Sequence, residues 1–131
     1  MKLPTKIILT SGIGIGSSKL TAFDNALLNI GIGNFNLLSV SSIIPPKAKI
    51  IYLTKDNREK ILPKIGSIIP TVYTCVYEEK VSERIVAMLA PGLPKNYEDH
   101  NGVIFEFAGN NITKDRAKKS LRKNDQRGTY N

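Results

Sequence analysis

The most constraining stretch of the chain is Asn34-Phe35-Asn36-Leu37-Leu38-Ser39-Val40-Ser41-Ser42-Ile43-Ile44-Pro45-Pro46. An extended segment can run through its apolar residues but stops at the double proline, which fixes φ and supplies no backbone donors. Two adjacent hydroxyls at the end of such a run need hydrogen-bond partners or a task. Two readings fit. In one, the strand ends at Ser41 and the serines cap a turn; in the other, the Ser41–Ser42 peptide bond is itself the reactive group. If residues 36–42 are extended, Asn36, Leu38, Val40 and Ser42 share one face and Leu37, Ser39 and Ser41 the other, so Asn36 lines up with Ser42.

At 131 residues the chain is read as a single domain, long enough to bury a core. Its hydrophobic content is 41%, and no apolar run approaches the roughly 18 residues of a membrane span, so the sequence predicts a soluble protein with no membrane partner. The N-terminus carries too short an apolar run for a signal segment, which makes the cytoplasm the expected location. With one cysteine, Cys75, and one histidine, His100, there is no internal disulfide and no zinc cluster, and no metal is expected. The net charge of +8 is concentrated at the C-terminus: Lys114 to Arg127 holds seven Lys/Arg and two Asp, a net +5. That stretch lacks an aromatic platform and a recognition-helix pattern, and reads as a solvated helix face or frayed end rather than a nucleic-acid site.

In chain order, Lys6 to Thr10 is a short strand followed by Gly12-Ile13-Gly14-Ile15-Gly16. These glycines fit neither a dinucleotide fingerprint nor a P-loop, and are expected to permit a close passage along another backbone. Thr21 is the expected N-cap of a helix with Asp24 at its third position; Leu20, Phe23, Leu27 and Ile30 form one face, and Gly31 ends it. Asp24 is then either part of the cap or a rigidly mounted carboxylate for a cationic ligand. Lys49 to Leu53 is a strand and Thr54 to Lys60 an exposed charged loop. Thr71 to Tyr77 and Arg84 to Ala90 suggest an antiparallel hairpin. In Gly102 to Gly109, Val103, Phe105 and Phe107 are expected to face the core, which leaves Ile104, Glu106 and Ala108 on the other side. Glu106, the only charge in this run, is either an outward-facing residue or a semi-buried carboxyl with a raised pKa that gives a proton. Thr113 is the expected cap of a second helix, with Ile112 and Ala117 as a staple; it weakens after Leu121 into a polar tail, 122–131.

A strained Ser-Ser bond has a defined chemistry. The Ser42 hydroxyl attacks the Ser41 carbonyl, through an oxyanion that an amide such as Asn36 can stabilise, to give an ester. β-Elimination frees the Ser41 carboxylate and leaves dehydroalanine, which hydrolyses to a pyruvoyl group. That ketone forms a Schiff base with an amine substrate and takes up the electrons released as carbon dioxide leaves. Glu106 is the carboxyl suited by type to supply the proton that follows.

Phe23-Asp24-Asn25-Ala26-Leu27-Leu28, Gly31-Ile32-Gly33-Asn34-Phe35-Asn36-Leu37, Val40-Ser41-Ser42-Ile43-Ile44-Pro45-Pro46 and Gly102-Val103-Ile104-Phe105-Glu106-Phe107 together resemble the pyruvoyl-dependent arginine decarboxylase family of archaeal type, from about Leu3 to Leu121. The resemblance implies an α+β fold, a four-layer αββα sandwich of mostly antiparallel sheets. It implies cleavage into 1–41 (a β chain) and 42–131 (an α chain), a covalent pyruvoyl cofactor from Ser42, and help in processing from Asn36. It further implies Asp24 on the arginine guanidinium, Glu106 as proton donor, agmatine and carbon dioxide as products, and a homotrimer of cleaved protomers with sites between subunits. Family members continue into further β structure beyond the second helix, so the C-terminal part is expected to be incomplete here. The alternatives are a decarboxylase of another amino acid, a truncated inactive homologue, and a basic protein that binds nucleic acid through residues 114–127.

Overall fold

A computed structural model describes residues 2–80, 83–111 and 114–127. Seven strands and three helices follow in the order β1 (Lys6–Leu9), α1 (Lys19–Asn29), β2 (Asn36–Ser39), β3 (Ile43–Ile44), β4 (Lys49–Tyr52), α2 (Arg58–Ile61), β5 (Ile68–Thr71), β6 (Ile85–Gly92), β7 (Gly102–Asn110) and α3 (Lys114–Arg127). The class is α+β. No described helix is long and apolar enough to cross a membrane. The elements sort into two compact units: a serine unit (Met1–Leu3, Ser39–Lys47, Val72–Asn131) and a glycine unit (Pro4–Leu38, Ala48–Thr71).

In the serine unit, β7 is the central strand of the order β3-β7-β6. Both ladders are antiparallel: Ile43 and Ile44 pair with Val103 and Gly102, and β6 pairs with β7 along its whole length, from Ile85↔Asn110 to Gly92↔Val103. Ile44 is fully enclosed, and Ile104 and Leu121 are buried, as α3 packs on β7 and β6. The side-chain alternation of β7 departs from expectation. Ile104 is buried while Phe105 and Phe107 are half-buried, so both faces carry apolar contact near the start of the strand, and Glu106 and Ala108 are exposed. The expected hairpin between 71–77 and 84–90 does not form. β6 pairs instead with β7, and Val72–Lys80 belongs to no ladder. Asn110 Nδ2 holds part of that run, donating to the Tyr77 carbonyl at 2.9 Å and to Glu78 Oε2 at 2.8 Å. Backbone donation from Lys80, helped by Asn110, keeps the Glu78 carboxyl below the usual carboxylate range. Its contribution to stability is therefore present above the ordinary carboxylate pKa and lost as pH falls through the folded value. α3 continues in helical form to Arg127 rather than weakening after Leu121; the expected cap at Thr113 and the Ile112 end of the staple lie outside the described residues.

The glycine unit joins β1 to β4 in parallel, Lys6↔Lys49 to Leu9↔Tyr52, and β2 to β5. Both two-stranded sheets are parallel, a difference from the mostly antiparallel expectation. Parallel pairing needs a long crossover, which the glycine segment, α1, β2 and β3 supply between β1 and β4. The glycines behave as the sequence predicts. A Cβ on Gly14 would lie 2.1 Å from the Ala22 carbonyl oxygen, and one on Gly16 would lie 2.5 Å from the Ala22 nitrogen. A Cβ on Gly12 would meet the Ile30 side chain at 2.2 Å. The geometry is a match of repeats. Two residues of extended chain advance roughly 6.6 Å and four residues of helix about 6 Å, so every second residue of the segment meets every fourth of α1. Asn25 and Asn29, one such step apart, donate Nδ2 to the carbonyls of Ile15 (2.7 Å) and Ile13 (2.8 Å). These bonds fix the segment against the helix and leave Ile13 and Ile15 78% and 87% exposed.

Candidate active site

Ser42 and Glu106 are brought together by strand register. With Ile43 opposite Val103, carrying the ladder back one residue sets Ser42 opposite Ile104, whose N–H donates to the Ser42 carbonyl at 2.8 Å. Directly opposed residues project to the same face, and so does the residue two further along. Glu106 is that residue. Its Oε1 accepts a long hydrogen bond, 3.5 Å, from Ser42 Oγ, across 64 positions of sequence. Ser42 is half-buried, and Ser41 and Glu106 are exposed in the chain, so the glutamate is not the semi-buried carboxyl considered above.

The Ser41–Ser42 peptide lies outside any ladder. β2 ends at Ser39, and a bend at Ser42 precedes β3. The continuous 36–42 strand is therefore broken, and with it the basis for aligning Asn36 with Ser42. The prolines do not cause the break; it falls before Ile43, where the chain leaves β2 to enter the β7 ladder. Asn36 opens β2 in the glycine unit. Its N–H donates to the Ser67 carbonyl at 3.0 Å and its Nδ2 to that of Gly66 at 2.8 Å, which leaves the side-chain oxygen and one amide hydrogen for other partners.

Asp24 also belongs to the glycine unit. The N-cap of α1 is Ser18, not Thr21: Ser18 Oγ accepts the Thr21 N–H at 3.1 Å, and the first turn holds no acidic residue. Starting the helix three residues earlier places Asp24 in its second turn, on the exposed side. Among the described residues its carboxylate has neither a hydrogen bond nor an ion pair, so the capping explanation falls away. Of the expected apolar face Leu20 is exposed while Phe23, Leu27 and Ile30 are half-buried, and the side of α1 that meets the glycine segment is Ala22, Ala26 and Ile30.

Two contributors escaped sequence reasoning. Ser18 was hidden by Thr21, which satisfies the same cap preference. Arg58, read as part of an exposed loop, instead opens α2 and sends its guanidinium Nη2 to the Asn29 carbonyl at 3.3 Å. No local signal marks it, because the carbonyl it meets is 29 residues away.

A serine hydroxyl beside a carboxylate, next to a Ser-Ser peptide held outside any sheet, is an arrangement suited to an intramolecular attack on the backbone. Residues 6–130 match the family profile described as pyruvoyl-dependent arginine decarboxylase. The chain is 42% identical to the pyruvoyl-dependent arginine decarboxylase of Pyrococcus abyssi over 125 residues, 95% of this chain and 74% of that one. It is 40% identical to that of Methanocaldococcus jannaschii over 121 residues, 92% and 68% of the two chains, and 39% identical to that of Thermococcus sibiricus over 125 residues, 95% and 74%. The protein belongs to the pyruvoyl-dependent arginine decarboxylase family. Membership implies a covalently carried pyruvoyl group, and the residues fit one: a serine at a bend whose hydroxyl meets a carboxylate, preceded by a second, exposed serine.

Proposed function

We propose that the chain cleaves itself between Ser41 and Ser42 and then decarboxylates L-arginine to agmatine and carbon dioxide. The observation that carries this reading is the Ser42 Oγ to Glu106 Oε1 hydrogen bond at 3.5 Å, formed at the peptide where the family chemistry requires it. Ser42 Oγ forms a bond to the Ser41 carbonyl carbon and its proton passes to Glu106; the C–N bond breaks, leaving an ester and a free amine on residue 42. Elimination then breaks the Cβ–O bond and releases the Ser41 carboxylate, and water replaces the nitrogen of residue 42, which leaves as ammonia. Asn36 is assigned the amide that steadies the oxyanion in the first step. The pyruvoyl group supplies a ketone that engages the substrate amine and accepts the electron pair left by carbon dioxide.

Other roles fall to side chains the fold presents without a competing task. Asp24, free of a cap, is assigned to the substrate guanidinium, whose planar fork suits a carboxylate. Glu106, already adjacent to position 42, is assigned the proton delivered to the substrate carbon. The family's four-layer αββα sandwich and a homotrimer of cleaved protomers, in the cytoplasm, complete the reading, with arginine rather than nucleic acid or membrane as partner. Exposed apolar side chains such as Ile13, Ile15, Ile43 and Leu38 support burial against further copies.

Denaturing electrophoresis with intact mass spectrometry tests this. The expected result is two fragments, 1–41 and 42–131, the second lacking a free amino terminus, together with carbon dioxide release from labelled arginine. A chain that stays intact and releases none overturns it.

A further inference from the structure

A cleft of about 290 Å³ in the glycine unit takes no part in the chemistry above. Arg58 lies in its wall. The guanidinium reaches across the C-terminal end of α1 to the Asn29 carbonyl, where a cation is favoured by the helix dipole. It can lie there because residue 31 is a glycine at φ +84, where a Cβ would stand 2.9 Å from Arg58 Nε. That Nε is enclosed and has no hydrogen-bond partner. A buried donor on a charged group without an acceptor is costly and calls for one.

The rest of the lining indicates what kind of acceptor. Phe35, Leu62 and Ile65 give apolar surface, and Glu59 adds an exposed carboxylate. The volume lies near the lower end, roughly 300 Å³, of small-molecule sites. A planar cationic donor, an apolar wall and a carboxylate complement one chemical class: an anionic carboxylate, an aliphatic body and an ammonium. We propose that this cleft binds a free amino acid, with the ligand carboxylate on Arg58 and its ammonium toward Glu59. If the chain decarboxylates arginine, as proposed above, the cleft recognises the group that the reaction removes, and so takes substrate and not agmatine.

The test uses the full chain labelled with nitrogen-15, and follows the arginine Nε–H resonances during titration with L-norleucine, which has a carboxylate but no guanidinium. The Arg58 signal is assigned by its disappearance in Arg58→Lys, a variant that keeps a cation at the end of α1 while losing the planar fork; circular dichroism checks its fold. The expected result is a saturable shift of the Arg58 signal with norleucine and none with pentylamine, the same molecule without its carboxylate. Norleucine affinity, followed through backbone signals of the cleft, should fall by at least about tenfold in Arg58→Lys and stay unchanged in Asp24→Asn. An Arg58 signal that does not respond to norleucine, or responds equally to pentylamine, overturns the proposal, as does inorganic phosphate binding as tightly as norleucine, which would mark a general oxoanion site. Because the readout needs no turnover, failure here leaves the decarboxylase reading intact, and an inactive protein that still binds norleucine leaves this one intact.

Discussion

The two units hold their polar side chains by different means. In the serine unit, Ser42 and Glu106 meet because two strands distant in sequence settle into one register. In the glycine unit, Asp24 stands on a helix whose position is set by direct contact between backbones, with glycines on one side and alanines on the other. Register is an all-or-none device: a slip of one residue would turn Glu106 to the opposite face of the sheet. Backbone contact is graded, and each added atom pushes the helix a little further away. Sensitivity to mutation should therefore be abrupt in chemistry for the first unit and gradual in stability for the second.

The comparison can be broken in order of expected effect. Ser42→Ala removes the hydroxyl to which the attack is assigned above, and electrophoresis should show a single uncut band with no carbon dioxide release; any residual cleavage at 41–42 would assign the attack elsewhere. Glu106→Gln keeps shape and loses the acid, and should lower the decarboxylation rate of any processed enzyme by about 10²–10⁴-fold, with the melting temperature nearly unchanged. Gly14→Ala places a methyl group 2.1 Å from the Ala22 carbonyl oxygen; a stability loss of about 2–4 kcal/mol, seen as a fall of roughly 10 °C in calorimetry, is the expected outcome. Asp24→Asn tests the charge-assisted pairing with the guanidinium proposed above. That should raise KM for arginine about 10–100-fold with little change in kcat; a changed kcat with KM preserved would deny it a binding role. Gly66→Ala is the control. Gly66 has φ +88 but nothing within 4 Å of an added Cβ, so only about 1 kcal/mol of backbone strain is expected in a denaturant titration.

What could be read in the sequence divides along the same line. The Gly12-Gly14-Gly16 spacing announced a close backbone approach, because local periodicity carries that information. Strands β1, β4, β6 and β7 were legible within two residues for the same reason. Pairing was not: the run 71–77 has strand-like composition, yet β6 takes β7 as its partner, since composition says nothing about which edge is available. The Ser42–Glu106 contact spans 64 residues, and both members were found by residue type and family resemblance rather than by geometry. Asp24 was legible as a candidate but with the wrong competing explanation, because Ser18 and Thr21 offer nearly equal caps and tertiary packing chose the earlier one. Arg58 left no trace in the sequence at all.

The position of the Ser41–Ser42 bond in the chain has a further consequence. The glycine unit is assembled from Pro4–Leu38 and Ala48–Thr71, so it draws on both sides of that bond, and β1 is laced to β4 across it. A break there would divide the polypeptide without dividing the fold. Two separate molecules would share one unit, held by noncovalent forces alone, and the lost tether would be felt chiefly as concentration-dependent unfolding, because the pieces must then find one another again.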